Sequence, residues 1–313
     1  MRKKLVSTIM AGLMGVMLAA CGSAEAKEPA STAEASTEAA PASAEATGAT
    51  EATSESAGAE SEGVSEDVQA IIDRGVLRVG VKNAVIGFGY EDPLTGEYSG
   101  LEIELAKALA GKLGVDVEFT AVTAATRTEL LDSGDIDCVL ATFTITDERK
   151  ESWDFTTPYY TDYVSVLVED SKGITTLENL VDATVGVSSG STSAKSLVSA
   201  MIEAGLISGD GFDPETFDPA TWTTGVKFQQ YDDYPTISTA LSAGEVDAFC
   251  VDKSILAIYK TEGRSYIDAE FSPQEYGIAT KKTSGLSAVT EELVTALLAD
   301  GTIDSLIKEN GLE

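Results

Sequence analysis

The side chains of this chain that could hold a small charged molecule recur just beyond short β-rich runs. Lys82 follows Val79-Gly-Val81, and Arg127 lies past the turn that leaves Val117-Glu-Phe119. Thr142, Thr144, Thr146 and Arg149 follow Val139-Leu-Ala141. Ser188-Ser-Gly-Ser-Thr192 opens a helix after Val185-Gly-Val187, and Asp252 ends Phe249-Cys-Val251. In open α/β sheets ligands bind beyond the carboxyl ends of the strands, so these positions converge on one place. Three cations, several hydroxyls, a helix start and one carboxylate suit a small zwitterion. Arg149 offers a planar fork to a carboxylate, and free amides at Ser191 and Thr192 would add an anion site at a helix start. Asp252 would receive an ammonium group, and the Thr142 and Thr144 hydroxyls would complete the hydrogen bonds that a dehydrated ligand requires. Lys82 and Arg127 then remain for a second carboxylate, so an acidic amino acid would use the whole set. Each residue also has a plainer role: Arg149 as a solvated helix-start residue, Asp252 as a helix cap, Lys82 and Arg127 as surface charges.

Other chemistry is excluded by what is missing. The 313 residues contain no histidine, which removes Ser-His-Asp and Cys-His catalysis and imidazole metal sites. A net charge of −31 disfavours nucleic acid, whose phosphates need clustered cations. Gly186-x-x-x-Gly190 lacks the Gly-Lys of a phosphate loop. Asp210, Asp213, Glu215 and Asp218 could attract calcium, but their spacing is not that of an EF-hand and reads as a solvated loop. Cys138 and Cys250 sit at apolar strand positions and read as buried free thiols. No general acid or base stands beyond the groups needed to hold a ligand, so neither catalysis nor a cofactor or metal is expected.

The elements that must position these residues alternate between strand and helix. Leu101, Leu105, Leu109 and Leu113 recur every four residues and give one apolar stripe, with Gly114 as a helix stop. Thr126 can cap a helix running to Leu131. The alternation returns at 183–187, 191–204, 226–230, 234–241 and 246–251, and two helices near 286–299 and 301–309 close the chain. Leu131-Asp-Ser-Gly134-Asp-Ile-Asp137 and Leu241-Ser-Ala-Gly244-Glu-Val-Asp247 share one spacing, in which a helix ends at glycine and leads into a hydrophobic strand. This echo points to two α/β lobes of one architecture.

The front of the chain is of another kind. Arg2, Lys3 and Lys4 precede an uncharged apolar run from Leu5 to Ala20, as in a secretory signal. Its end, Leu18-Ala-Ala-Cys21, resembles the lipobox of bacterial lipoproteins, which makes Cys21 the expected lipidated residue after removal of 1–20. Residues 22–63 contain only Ala, Glu, Ser, Thr, Gly, Pro and Lys27, with nothing larger than alanine to bury. They read as a disordered tether that would span about 30–40 Å as a flexible coil.

The longest specific run is Leu130 to Arg149, which contains Thr142-Phe-Thr144-Ile-Thr-Asp-Glu-Arg149, followed by Trp153-Asp-Phe-Thr-Thr-Pro-Tyr-Tyr160. Together with Gly190-Ser-Thr192 and Val246 to Asp252, it resembles the family 3 solute-binding proteins of polar amino acid ABC importers over about residues 70–310. That resemblance implies a two-lobed α/β fold of the type II periplasmic-binding-protein kind, with open sheets flanked by helices and a ligand cleft between the lobes. It implies lobe one at 64–163 plus 276–313, lobe two at 164–275, and crossing strands at 159–163 and 276–280. It assigns the α-carboxylate to Arg149, helped by Thr144 and the Ser191–Thr192 segment, and the α-ammonium to Asp252. Lys82, Arg127 and Tyr234 look like the glutamate/aspartate-binding branch and would read the side-chain carboxylate. A monomer is expected, held by its lipid at the outer face of the cytoplasmic membrane and docking on ABC permease subunits. The alternatives are a receptor for glutamine or another polar amino acid, or a dehydratase-like enzyme on the same fold. Two departures stand out: Val85 and Ala124 replace aromatic residues that often sandwich the ligand, and Gly87 stands where a proline is usual.

Overall fold

Valine-rich runs centre two separate sheets in the computed structural model, which describes residues 64–313; the signal segment, Cys21 and the tether lie outside the described residues. In the first sheet β1 (Val76–Val81) lies parallel between β5 (Asp116–Ala121) and β6 (Cys138–Leu140). β14 (Ala279–Lys281) pairs antiparallel with β6, and β7 (Trp153–Phe155) pairs with β14 at the edge. Helices α2 (Leu101–Leu113) and α3 (Thr126–Ser133) make the crossovers, while α1 (Glu66–Arg74), α8 (Gly285–Ala299) and α9 (Thr302–Glu309) complete the cover. A small ladder of β2 (Ala84–Val85), β3 (Gly89–Glu91) and β4 (Tyr98–Ser99) sits beyond β1. Leu77, Val79 and Val81 are fully buried, each stabilising the fold by about 1.5–3 kcal/mol relative to exposure.

The second sheet repeats the plan. β9 (Thr184–Ser188) lies parallel between β10 (Lys227–Tyr231) and β11 (Ala248–Asp252), with α5 (Ser193–Glu203) and α6 (Tyr234–Ala243) as crossovers. The long β8 (Tyr160–Glu169) pairs antiparallel with β11 and carries β12 (Arg264–Tyr266) and β13 (Phe271–Tyr276) on its other side. The repeated Gly-x-hydrophobic-Asp motif has one physical role in both halves. α3 and α6 end on left-handed Gly134 and Gly244, at φ of 81° and 74°. Asp137 then donates its N–H to Arg78 O at 2.8 Å and accepts Arg78 N–H on Oδ2 at 2.8 Å. Asp247 does the same with Thr184, at 2.8 and 3.0 Å. Each carboxylate takes the place of a carbonyl and carries the ladder one step past the strand end.

The chain passes between the halves as a ribbon in which β13 runs antiparallel to the start of β8, Tyr276 opposite Tyr160 and Gln274 opposite Asp162. Phe88 meets both ribbon tyrosines edge-on, with centroids 5.0 and 5.6 Å away. The C-terminal segment leans on the same place, where the Tyr160 hydroxyl donates to Leu312 O at 2.9 Å. The sequence expectation differs in one local detail. Thr126 is the first residue of α3 rather than its cap; Thr123 Oγ1 accepts the Thr126 N–H at 3.2 Å. Among the described residues both cysteines, Cys138 and Cys250, are buried free thiols in different sheets.

Candidate functional site

The carboxyl ends of β6, β9 and β11 and the N-termini of α3, α5 and α6 face one small cavity. Arg127, Thr142, Thr144, Arg149, Ser191, Thr192, Tyr234 and Asp252 line it together with Ala124, Ser193 and Val251. Lys82 does not. It lines an adjoining cavity that shares Tyr234, and its Nζ lies 5.4 Å from the Tyr234 ring centroid.

Thr142 and Thr144 leave β6 on a strained path. Thr142 has φ of +46°, a conformation that costs a β-branched residue about 1–3 kcal/mol. Glu102 on α2 holds it there, accepting the Thr142 N–H at 2.6 Å and the Tyr159 hydroxyl at 2.6 Å on one oxygen. The other oxygen of Glu102 is buried with no partner. Burial raises the Glu102 pKa, and the Tyr159 and Thr142 hydrogen bonds oppose the rise.

The three cations stand in different settings. Arg127 is buried, donates from Nη1 to Ala141 O and Thr142 O at 2.9 and 3.2 Å, and lies 3.8 Å from the Phe143 centroid. Its Nε has no partner, and burial lowers it to about 10, still charged at neutral pH. Arg149, half-buried, donates to Thr144 O at 2.7 Å and reaches across the cleft to Gly190 O at 3.1 Å. Burial and the Arg127 charge lower it to about 9. Lys82 is 4% exposed with no hydrogen bond among the described residues. Burial first, and Arg127 second, push its ammonium well below the ordinary value.

The lobe-two side supplies the carboxylate. Asp252 caps no helix with its side chain; its Oδ2 accepts the Tyr276 hydroxyl. Burial and the nearby Asp162 carboxylate raise Asp252 to about 7. Ser191 differs from expectation: its amide and its hydroxyl both donate to Ser188 O, at 3.1 and 2.7 Å, closing a turn around left-handed Gly190. The Ser191 amide is therefore not free for an anion. No hydrogen bond among the described residues engages the Thr192 N–H. The turn brings the lobes together, since a Cβ on Gly190 would lie 2.7 Å from Ala124 O. Lys195 on α5 adds an ion pair to Glu148 of α4 (Asp147–Ser152) at 3.1 Å.

Both departures noted in the sequence have structural counterparts. Val85 and Ala124 are buried, and the aromatic face of the site is Phe143, which underlies the Arg127 and Arg149 guanidinium groups. Gly87 has φ of +89°, which proline cannot adopt, and a Cβ there would lie 2.7 Å from Leu312 Cδ2.

The sequence reading missed Glu102, Asp162, Gln274 and Tyr276. Glu102 was findable: Leu105, Ala106 and Leu109 at i+3, i+4 and i+7 place it on the buried face of α2. Gln274 and Tyr276 share one face of β13 at i and i+2, but nothing local says what that face meets.

Residues 77–311 match the model of the bacterial extracellular solute-binding proteins, family 3. The chain belongs to that family. Its fold is the two-lobed α/β type II periplasmic-binding-protein fold. This solute-binding protein is 32% identical over 260 residues to the ABC transporter glutamine-binding protein GlnH of Bacillus subtilis, covering 80% of this chain and 86% of that one. It is 31% identical over 260 residues to the glutamate-binding protein GluB of Corynebacterium glutamicum, covering 77% and 80%. An ancestral arginine-binding protein bound to arginine superposes with a TM-score of 0.62 at 32% identity, over 75% of this chain and 98% of the other. Among its described residues the solute-binding protein has no helix long and apolar enough to cross a membrane. Among the described residues no cluster of three or more Cys, Asp and Glu side chains is placed to hold a metal ion, and Asp213 and Asp218 are committed to their own turns.

Proposed function

We propose that the protein captures glutamate or aspartate outside the cell and hands it to the membrane subunits of an amino acid ABC importer, binding and releasing it unchanged. It does so as a monomer, held at the outer face of the cytoplasmic membrane by a lipid on Cys21. The amino acid class rests on the glutamine- and glutamate-binding relatives and on a cleft with an arginine and a carboxylate for the two ends of a zwitterion.

One observation carries the acidic ligand. Lys82 and Arg127 are both buried, and among the described residues neither is hydrogen-bonded to a carboxylate. A side-chain carboxylate would pair with them directly, whereas a neutral side chain would leave both buried cations without an anionic hydrogen-bond partner, which is unfavourable. Arg149 would take the α-carboxylate, Asp252 the α-ammonium, and Arg127, Lys82 and Tyr234 the side-chain carboxylate. Glutamine is the second reading. It is favoured by the likeness to GlnH and by the position of Lys82 beyond Tyr234 rather than on the cavity wall.

Calorimetric titration of the purified protein, stripped of any co-purified ligand, with glutamate, aspartate and glutamine separates the readings. The expected result is tight binding of an acid and weak binding of glutamine. Glutamine bound as tightly as the acids would overturn the acidic reading, and silence from all three would overturn both readings and turn the titration to other amino acids.

A further inference from the structure

Gln274 is 3% exposed on β13, in the ribbon that joins the lobes, and its amide oxygen is shared between them. Thr144 Oγ1, after β6, donates to Gln274 Oε1 at 2.9 Å. Thr192 Oγ1, before α5, donates to the same oxygen at 2.7 Å. The orientation of the amide is fixed from behind, because Nε2 donates to Ser272 O at 2.8 Å and a flipped amide would set oxygen against oxygen there.

A threonine hydroxyl has one proton and two lone pairs. Once the proton is directed at Gln274, the hydroxyl can only accept from whatever else it meets. Thr144 and Thr192 line the same cavity as Asp252. Two hydroxyl acceptors and one carboxylate make three acceptors, and an ammonium group carries three N–H donors. Two residues along the same face of β13, Tyr276 donates to Asp252, so one strand orients all three acceptors.

We propose that Gln274 is a positioning residue for the α-amino end of the ligand: by taking one hydroxyl proton from each lobe, it makes Thr144 and Thr192 ammonium acceptors. Carboxylate recognition then falls to Arg149 and to backbone amides such as that of Thr192, without the threonine hydroxyls. The inference rests on the amino acid reading above but not on which amino acid is bound.

The test compares each amino acid with its counterpart lacking the amino group, glutamate with glutarate, in the whole protein and in Gln274→Leu and Gln274→Glu. The wild type should prefer glutamate by about 100-fold or more, the size of a lost buried charged partner. Gln274→Glu, protonated on the oxygen that faces Ser272 O, keeps the acceptor that Thr144 and Thr192 share and should keep that preference. Gln274→Leu frees both hydroxyls to donate and should narrow the preference by about tenfold, the worth of one redirected hydrogen bond. Equal losses for both ligands in Gln274→Leu would mean that Gln274 only supports the fold, and would overturn the proposal. A wild type that binds glutarate as well as glutamate would also overturn it while leaving the acidic ligand standing. A wild type that binds glutamine instead overturns the acidic ligand alone. The same ratio is then read between glutamine and its des-amino analogue: a narrowed preference in Gln274→Leu supports the positioning role, and equal losses overturn it.

Discussion

The Tyr276 hydroxyl donates to Asp252 Oδ2 and lies 3.3 Å from Asp162 Oδ2, so one phenolic proton stands between two buried carboxylates. Asp162 has other partners: the amide and hydroxyl of Ser254, with the amide at 3.1 Å, and the Tyr163 N–H at 2.7 Å. Asp252 has Tyr276 alone among the described residues, and burial raises it to about 7.

That arrangement sets stability against function at Asp252. Its folded pKa lies above the unfolded value, so it weakens the fold as pH rises from about 4 to 7, and the charge is fully buried at pH 8. Asp252→Asn keeps the Tyr276 hydrogen bond and removes the charge. Its melting temperature at pH 8 without ligand should rise, by a penalty on the order of 1–4 kcal/mol relieved. Amino acid binding should be lost in the same variant. In the wild type, binding should weaken at least about tenfold between pH 7.5 and 5.5, since a protonated Asp252 cannot pair with an ammonium. Thermal scans and titrations at the two pH values check both. A fall in melting temperature, or binding independent of pH, would contradict the assignment.

Lys82 and Arg127 differ in how firmly they are held. Arg127 is pinned by two carbonyls and Phe143, whereas Lys82 has no hydrogen bond of its own among the described residues. Lys82→Met should therefore be tolerated by the fold and weaken glutamate about tenfold or more, with glutamine little changed. Adding Arg127→Met should deepen the glutamate loss. Titrations with both ligands decide it, since equal losses would show that these cations do not read the ligand side chain.

Gly190 tests closure. It is left-handed, at φ of +73°, and its Cα faces Ala124 O across the cleft. Gly190→Ala adds a Cβ with no room between the lobes. Affinity should drop about tenfold or more, while the ligand-free protein loses only about 1 kcal/mol of stability from the backbone strain. Small-angle scattering should show less compaction on ligand addition than in the wild type. Unchanged affinity and compaction would mean that the cleft closes without this contact.

Gly87 tests the left-handed turn between β2 and β3. Gly87→Pro would install a residue that cannot reach φ of +89°, in a place where Leu312 leaves no room. The variant should lose about 3 kcal/mol or more and melt several degrees lower. An unchanged melting temperature would show that the segment adopts another path.

The two-lobed alternation and the convergence of polar residues at the strand ends are legible in the chain alone. Hydrophobic runs ending in Gly-x-hydrophobic-Asp are local signals, and each half closes its ladder with its own aspartate, Asp137 or Asp247. Residues at strand ends converge by topology alone, which is why Arg127, Thr144, Arg149, Thr192 and Asp252 are expected to meet from the sequence and do line one cavity. Where each proton and charge points follows from packing between distant segments. Ser191 turned inward because a left-handed glycine tightened its turn, and Lys82 settled beyond Tyr234. Glu102 and Gln274 became central through partners 40 and 130 residues away. A hydrogen bond across such a distance leaves no periodicity in the chain, because its geometry exists only after both lobes have packed.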